Sequence, residues 1–311
     1  MPEISVILCA HNPRPKFLQR TLDALGQQTL PKDDWELLLV DNASQEPLAG
    51  KFDLSWHAHA RHVREEELGL TPARLRGIKE SGGKLLVFVD DDNLLDANYL
   101  EAARQITRTM PQMKVFGGNV AGEFEVPPEP WMQPYLPLLA LRELKRDYWS
   151  NDPMRLGFYP CGAGICVDRT VAQAYLKTLE QDPRRSQLDR RGADLVSGGD
   201  DDICFTAGHL GLGVGMFTAL TLTHLIPVGR LKEEYLLRLV EGVTYSGYVL
   251  AWLWQRDMRP PVHSLRWRIG YWRLCRKMSA RERRFADAKV RAEQKAWKTI
   301  GAMNGRTDAS R

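Results

Sequence analysis

The chain lacks any run of the ~18 apolar residues that a membrane-spanning helix needs. Its longest candidate, YVLAWLW at 248–254, is closed by Gln255 and Arg256. It also lacks the basic start of a secretory leader: Glu3 stands where positive charge belongs, and ISVILCA is too short for the apolar stretch. Cysteine is sparse. Five residues, at 9, 161, 166, 204 and 275, form an odd set with no CxxC pair. That argues against a disulfide framework and a structural zinc site, and for a reducing compartment. A formal net charge of +4 gives no case for nucleic acid as a partner. Internal repeats and low-complexity segments are missing too. The expected location is cytoplasmic.

What is present reads as an ordinary globular chain, long enough at 311 residues for one large domain or a domain with an appendage. The first half alternates strands and helices. ISVILCA (4–10), WELLLVDNAS (35–44), KLLVFV (84–89) and KVFGGNV (114–120) read as buried strands. FLQRTLDALGQQ (17–28), LTPARLRGIKESGG (70–83) and YLEAARQITRTM (99–110) read as helices between them. Uninterrupted apolar strands between amphipathic helices imply an α/β fold with a mostly parallel sheet covered on both faces. The middle is less regular. EVPPEPWMQPYLP (125–137) reads as a loop, FYPCGAGICVDRTVAQAYL (158–176) as a Gly-rich turn, short strand and helix. A helix begins near Asp201, TALTLTHLIP (218–227) reads as a strand, and the pattern from Arg230 onward is helical. The last residues, NGRTDASR, are expected to fray.

Polar residues collect where the strands end: His11-Asn12, Asp41-Asn42, and Asp90, Asp91 and Asp92 in KLLVFVDDDNLL (84–95). In an open α/β sheet that edge is where ligands bind. Three adjacent carboxylates repel one another and resist burial, so such a cluster serves either as a solvated helix cap or as a seat for a cation. At a strand end, Mg²⁺ or Mn²⁺ shared with a diphosphate is the stronger reading, because these ions prefer hard oxygen ligands.

Four segments in this order, ISVILCAHN, LLLVDNAS, LLVFVDDDNLL and GGDDDICFTA, resemble family 2 glycosyltransferases of the GT-A fold across roughly residues 1–230. The resemblance implies a single Rossmann-like sheet flanked by helices, a GT-A catalytic domain over 1–230 and a helical extension over 231–311. Within the domain, 1–120 would be the nucleotide-binding half and 121–230 the acceptor half. It further implies an inverting, metal-dependent transfer from a nucleotide-diphosphate sugar, with UDP expected, to a hydroxyl of a glycan or lipid-linked acceptor in envelope or extracellular polysaccharide synthesis. Cys9, Ala10, His11 and Asn12 would wrap the nucleotide, although His11-Asn12-Pro13 departs from a frequent Tyr-Asn-Glu type. Asp41 would accept from the base, Asp90 and Asp91 would lie at the donor, and Asp92 would hold the Mn²⁺ or Mg²⁺.

The second triplet, Asp200, Asp201 and Asp202, matches the family's Glu-Asp motif with Asp at 200, which implies Asp201 as catalytic base. An acceptor hydroxyl is a poor nucleophile and needs a carboxylate to take its proton. Asp200 and Asp202 would meet the acceptor sugar, with Gly199 allowing close backbone approach. A helix N-cap with surplus acid is the alternative for the triplet. His224 would reach the metal or diphosphate, or else be a hydrogen-bonded edge histidine. Arg230 and Lys232 follow it and could neutralise a leaving diphosphate. Trp131, Tyr135, Tyr159, Gly162 and Ala163 would line the acceptor side, or the two aromatics at 131 and 135 would merely cover the sheet.

Other functions fit less well. A phosphatase with Asp90 as nucleophile would carry its DxD motif near the N-terminus, and a nucleotidyltransferase would show a GxGxR loop after the first strand; neither pattern is present. A sugar- or nucleotide-binding protein without turnover remains an alternative. Finally, HSLRWRIGYWRLCRKM (263–278) joins a basic face, Arg266, Arg273 and Lys277, to aromatic and aliphatic positions. Either that apolar side packs on the catalytic domain, or the helix makes peripheral contact with the inner face of the membrane.

Overall fold

Seven consecutive buried residues make strand β1 (Ile4–Ala10) the centre of the molecule. Its alternate side chains feed two separate cores, which is what a strand covered on both faces must do. Val6 and Leu8 join Leu18, Leu22 and Leu25 of helix α1 (Pro15–Gly26) and Leu100, Ala103 and Ile106 of helix α3 (Tyr99–Thr109). Ile7 and Cys9 pack on the opposite face against helices α2 (Leu70–Glu80), α4 (Arg169–Gln181) and α5 (Gly199–His209). The structure is a computed structural model that describes residues 2–153, 156, 159–190, 192, 195–254 and 264–308. Phe158, which opens the expected Gly-rich turn, lies outside these residues, as do Gln255 and Arg256, which close YVLAWLW, and His263 at the head of the basic segment.

The α/β architecture with a helical C-terminal extension is the expected one; the sheet is more mixed than expected. Strands β2 (Trp35–Asn42) and β4 (Leu85–Asp90) flank β1 in parallel, and β3 (Ala60–Glu65) extends the parallel half beyond β2. Beyond β4 the short β8 (Cys166–Asp168) runs antiparallel and links to β6 (Met113–Phe124). The long β9 (Gly213–Ile226) lies parallel to β6, and β5 (Asn93–Leu95) and β7 (Tyr148–Ser150) add to β9 antiparallel. The order is β3-β2-β1-β4-β8-β6-β9-β5. β5, β7 and β8 have three residues each, too few for a periodic signal. In β3 only Val63 is buried, as suits an edge strand.

The segment expected as a loop at 125–137 contains a run of 3₁₀ turns at Pro130–Leu139 instead. Met132, Leu136 and Leu139 there share a core with Leu236, Leu239 and Val240 of helix α6 (Glu233–Leu253) and Phe285 of helix α8 (Ala280–Asp308). Arg281 and Arg284 of α8 both pair with Glu233 of α6 at 2.9 Å. α8 continues to Asp308, so most of NGRTDASR is helical; residues 309–311 lie outside those described. Between α6 and α8 stands helix α7 (Leu265–Cys275).

Candidate active site

The carboxyl ends of β1, β2 and β4, the N-terminus of α5, Ala140, Arg142 and residues 159–163 enclose one cavity of about 620 Å³. Both acidic triplets reach it. Of the expected donor and acceptor residues, Cys9, Ala10, His11, Asp90, Asp91, Asp92, Gly162, Ala163, Asp200, Asp201 and His224 line it. Asn12, Asp41, Trp131, Gly199 and Asp202 do not; of the further acceptor-side aromatics, Tyr159 lines it and Tyr135 stacks on Phe285 (3.9 Å) instead.

Each of the five excluded residues has another engagement. The carboxylate of Asp41 accepts from the N–H groups of Ser44 (3.1 Å) and Leu48 (3.0 Å) and from Arg64 (2.8 Å). Burial pushes its pKa up, and these donors more than offset that, leaving it below the ordinary carboxylate value. Asp41 closes the turn after β2, and the next residue, Asn42, faces the cavity. Asn42 accepts from Gly69 N–H at 2.8 Å and donates to the Glu67 carbonyl at 2.6 Å, which fixes the start of α2. Asn12 is exposed; it takes a left-handed φ of 45° and accepts from Gln45 N–H. Trp131 stacks under Arg281 (4.1 Å) and beside Phe285, so it anchors α8 rather than the acceptor side. Gly199 is small because a Cβ there would come within 2.2 Å of the Asp189 carboxylate.

Asp202 is fully buried, held by Arg185 at 2.5 Å and by the indole N–H of Trp254 at 2.7 Å. Burial raises its pKa to about 6 against the pull of these two partners. Asp200, at the cavity wall, accepts from Gly162 N–H at 2.6 Å and pairs with Arg74 at 2.5 Å. A Cβ on Gly162 would come within 2.2 Å of the Arg74 guanidinium, so a larger residue there would displace it. Arg74 itself is buried and also meets Asp189 at 3.3 Å. The middle residue differs from both neighbours. Asp201 has no hydrogen-bond or ion-pair partner among the described residues and faces the cavity. Burial, with Asp200 alongside, raises its pKa to about 7. A free carboxylate at that value can accept a proton near neutrality.

The first triplet lines the same cavity. Asp92 is buried; Arg230 pairs with its Oδ2 at 2.8 Å, and His224 Nε2 lies 3.5 Å from its Oδ1. Burial opposes its ionisation, but the Arg230 guanidinium holds its carboxyl well below the usual range. The Nδ1 of His224 meets the Leu139 carbonyl at 2.9 Å, which leaves Nε2 as the acceptor for Arg230 at 2.7 Å. Two donor atoms thus converge on a position already filled by a cationic side chain. Burial and the neighbouring charge of Asp92 raise both Asp90 and Asp91. Among the described residues no group of three or more His, Cys, Asp or Glu is arranged to hold a metal ion. Asp92 and His224 still suit a divalent ion chemically, with donor oxygens completing its shell. Cys9 is no nucleophile: burial pushes its thiol up to about 12.

Reading the sequence missed Arg74, Asp189, Arg142 and Arg190, all at the cavity. Their signal is weak because each sits in a helix or loop with no motif.

Residues 5–152, just under half of the chain, match the model of Glycosyl transferase family 2. The match runs from β1 through β7 and contains the first acidic triplet but not the second. Glycosyltransferase AglE of Haloferax volcanii is 33% identical over 130 residues, which is 41% of this chain and 41% of AglE. EpsH of Bacillus subtilis is 25% identical over 127 residues, 40% of this chain and 35% of EpsH. The matched stretch thus spans less than half the length of these curated relatives. A crystal structure of S. aureus TarS 1–349 in complex with UDP superposes with a TM-score of 0.46 at 16% identity, covering 83% of this chain and 67% of that one.

Proposed function

We propose that the protein is an inverting glycosyltransferase that moves a sugar from a nucleotide-diphosphate donor, with UDP the first to test, onto an acceptor hydroxyl. The observation that carries this reading is the single cavity shared by a paired acidic triplet and a second triplet with one free carboxylate. Asp201 takes the proton of the acceptor hydroxyl. The acceptor oxygen forms its bond to the anomeric carbon as the bond from that carbon to the diphosphate oxygen breaks, so the configuration inverts. A divalent ion held by Asp92 and His224 would supply positive charge for the leaving diphosphate. Arg230 and Arg190 line the same cavity and add fixed positive charge there. Asp200 and Arg74 set the position of the Gly162 turn, and through it the acceptor wall. Catalysis is assigned to residues 1–230, with a glycan or lipid-linked acceptor of envelope or extracellular polysaccharide.

The test is a panel of nucleotide sugars scored for donor consumption with Mn²⁺ or Mg²⁺. Turnover of at least one donor, lost in Asp201→Asn, is the expected result. Binding of nucleotide without turnover of any donor would favour a non-catalytic binding protein.

A further inference from the structure

Helix α7 is attached to the rest of the molecule by very little. Of its eleven residues, all but Tyr271 and Cys275 are exposed. Tyr271 donates to Asp287 of α8 at 2.7 Å, and Cys275 is buried. The apolar side chains therefore do not pack on the catalytic domain, contrary to one of the two expectations for this segment. Leu265 is 73% exposed, Trp272 54%, Leu274 52% and Ile269 45%. Among the described residues, nine large hydrophobic side chains are exposed, and five of them stand on this one helix. Scattered exposed apolar residues need no explanation, but a concentration of this kind does.

The charge of the segment is equally one-sided. From Ser264 to Met278 there are five basic residues, Arg266, Arg268, Arg273, Arg276 and Lys277, and no acidic one. At 100° per residue, Leu265, Ile269 and Trp272 share one side of the helix, and Arg266, Arg273 and Lys277 lie next to them. No helix among the described residues is long and apolar enough to cross a membrane. We infer that α7 lies flat on an anionic lipid surface, its Leu265–Ile269–Trp272 side sunk at the headgroup level and its basic side chains on the lipid phosphates. A soluble polyanion would satisfy the arginines and leave the leucines and isoleucine in water, so the lipid is the better match. This docking does not depend on the transfer reaction, and it would bring the cavity to lipid-linked acceptors.

The experiment is flotation of the full-length protein, without nucleotide, with phosphatidylcholine vesicles containing or lacking phosphatidylglycerol. Flotation is expected only with the anionic lipid, and rising salt should weaken it. Arg266→Glu/Arg273→Glu/Lys277→Glu should weaken partitioning by about a hundredfold or more, at ~1 kcal/mol for each basic residue removed. Brominated lipid should quench wild-type tryptophan fluorescence, and Ile269→Asp/Trp272→Asp should lose both quenching and flotation. Unchanged thermal melting and unchanged UDP binding in both variants would show that they are folded. Absence of flotation at low salt overturns the inference, as does flotation that survives both variants, or binding to a soluble polyanion without binding to vesicles. Any of these results would leave the donor-consumption test of the transfer reaction untouched.

Discussion

The two acidic triplets have the same composition and opposite designs. In Asp90–Asp92 the last residue ionises most readily, since Arg230 stabilises its ionised form while Asp90 and Asp91 are pushed up. In Asp200–Asp202 the outer residues are tied to Arg74 and Arg185, and the middle one has no hydrogen-bond or ion-pair partner among the described residues. Strand geometry explains the first pattern: after β4 ends at Asp90 the chain turns, and Asp92 comes to face β9, which brings His224. Helix geometry explains the second. Successive residues at the start of α5 point about 100° apart, so three neighbours meet three environments: the Gly162 wall, the cavity and the buried Arg185–Trp254 pair. A carboxylate's role here depends on which cation its position in the turn allows it to meet.

The strongest way to break this comparison is Asp201→Asn. Transfer should fall by about 10²–10⁴-fold, the usual contribution of a positioned base, with UDP affinity unchanged by calorimetry. A variant that turns over at nearly the wild-type rate would move the base elsewhere. Asp92→Ala should remove the metal-dependent part of UDP affinity, measured by the same titrations with and without Mn²⁺; equal affinities in variant and wild type would sink the metal assignment. Asp202→Ala sharpens the contrast within the second triplet. It leaves Arg185 buried without its carboxylate, so stability should drop by ~3–5 kcal/mol in denaturant unfolding, whereas Asp201→Asn should change stability little. The smallest effect is expected from Arg230→Met. Removing the guanidinium from between Asp92 and His224 should modestly tighten Mn²⁺ binding in the absence of nucleotide, read by electron paramagnetic resonance. Weaker binding would show that Arg230 helps the ion rather than competing with its position.

The parallel half of the sheet was legible because its strands are long and buried on both faces: ISVILCA, WELLLVDNAS and KLLVFV coincide with β1, β2 and β4 to within two residues. Strands that depend on partners far along the chain, such as Cys166–Asp168 between β4 and β6, carry no local signal. The site shows the same divide. Acidic runs at element ends were readable, and eleven of the expected residues do line one cavity. What sequence could not reveal is which neighbour each carboxylate meets. Arg74 and Arg185 lie far from Asp200 and Asp202 in their own elements, and nothing around them in the chain marks them as partners. The same reasoning separates Asp41 from Asn42: adjacent residues at one strand end point in opposite directions, and only the turn through Ser44 and Leu48 decides which is consumed by structure. Trp131 was misplaced because α8, which covers it, begins about 150 residues later in the chain.

The central claim is that Asp201 acts as the base of the shared cavity, and its pH dependence tests this most directly. For the free enzyme, kcat/KM for donor consumption should rise about tenfold per pH unit below a break near 7 and level off above it, because the base works only when ionised. In Asp201→Asn the same measurement should give a low rate with that break gone. A wild-type profile without a break near 7, or a break that persists in Asp201→Asn, would contradict the account.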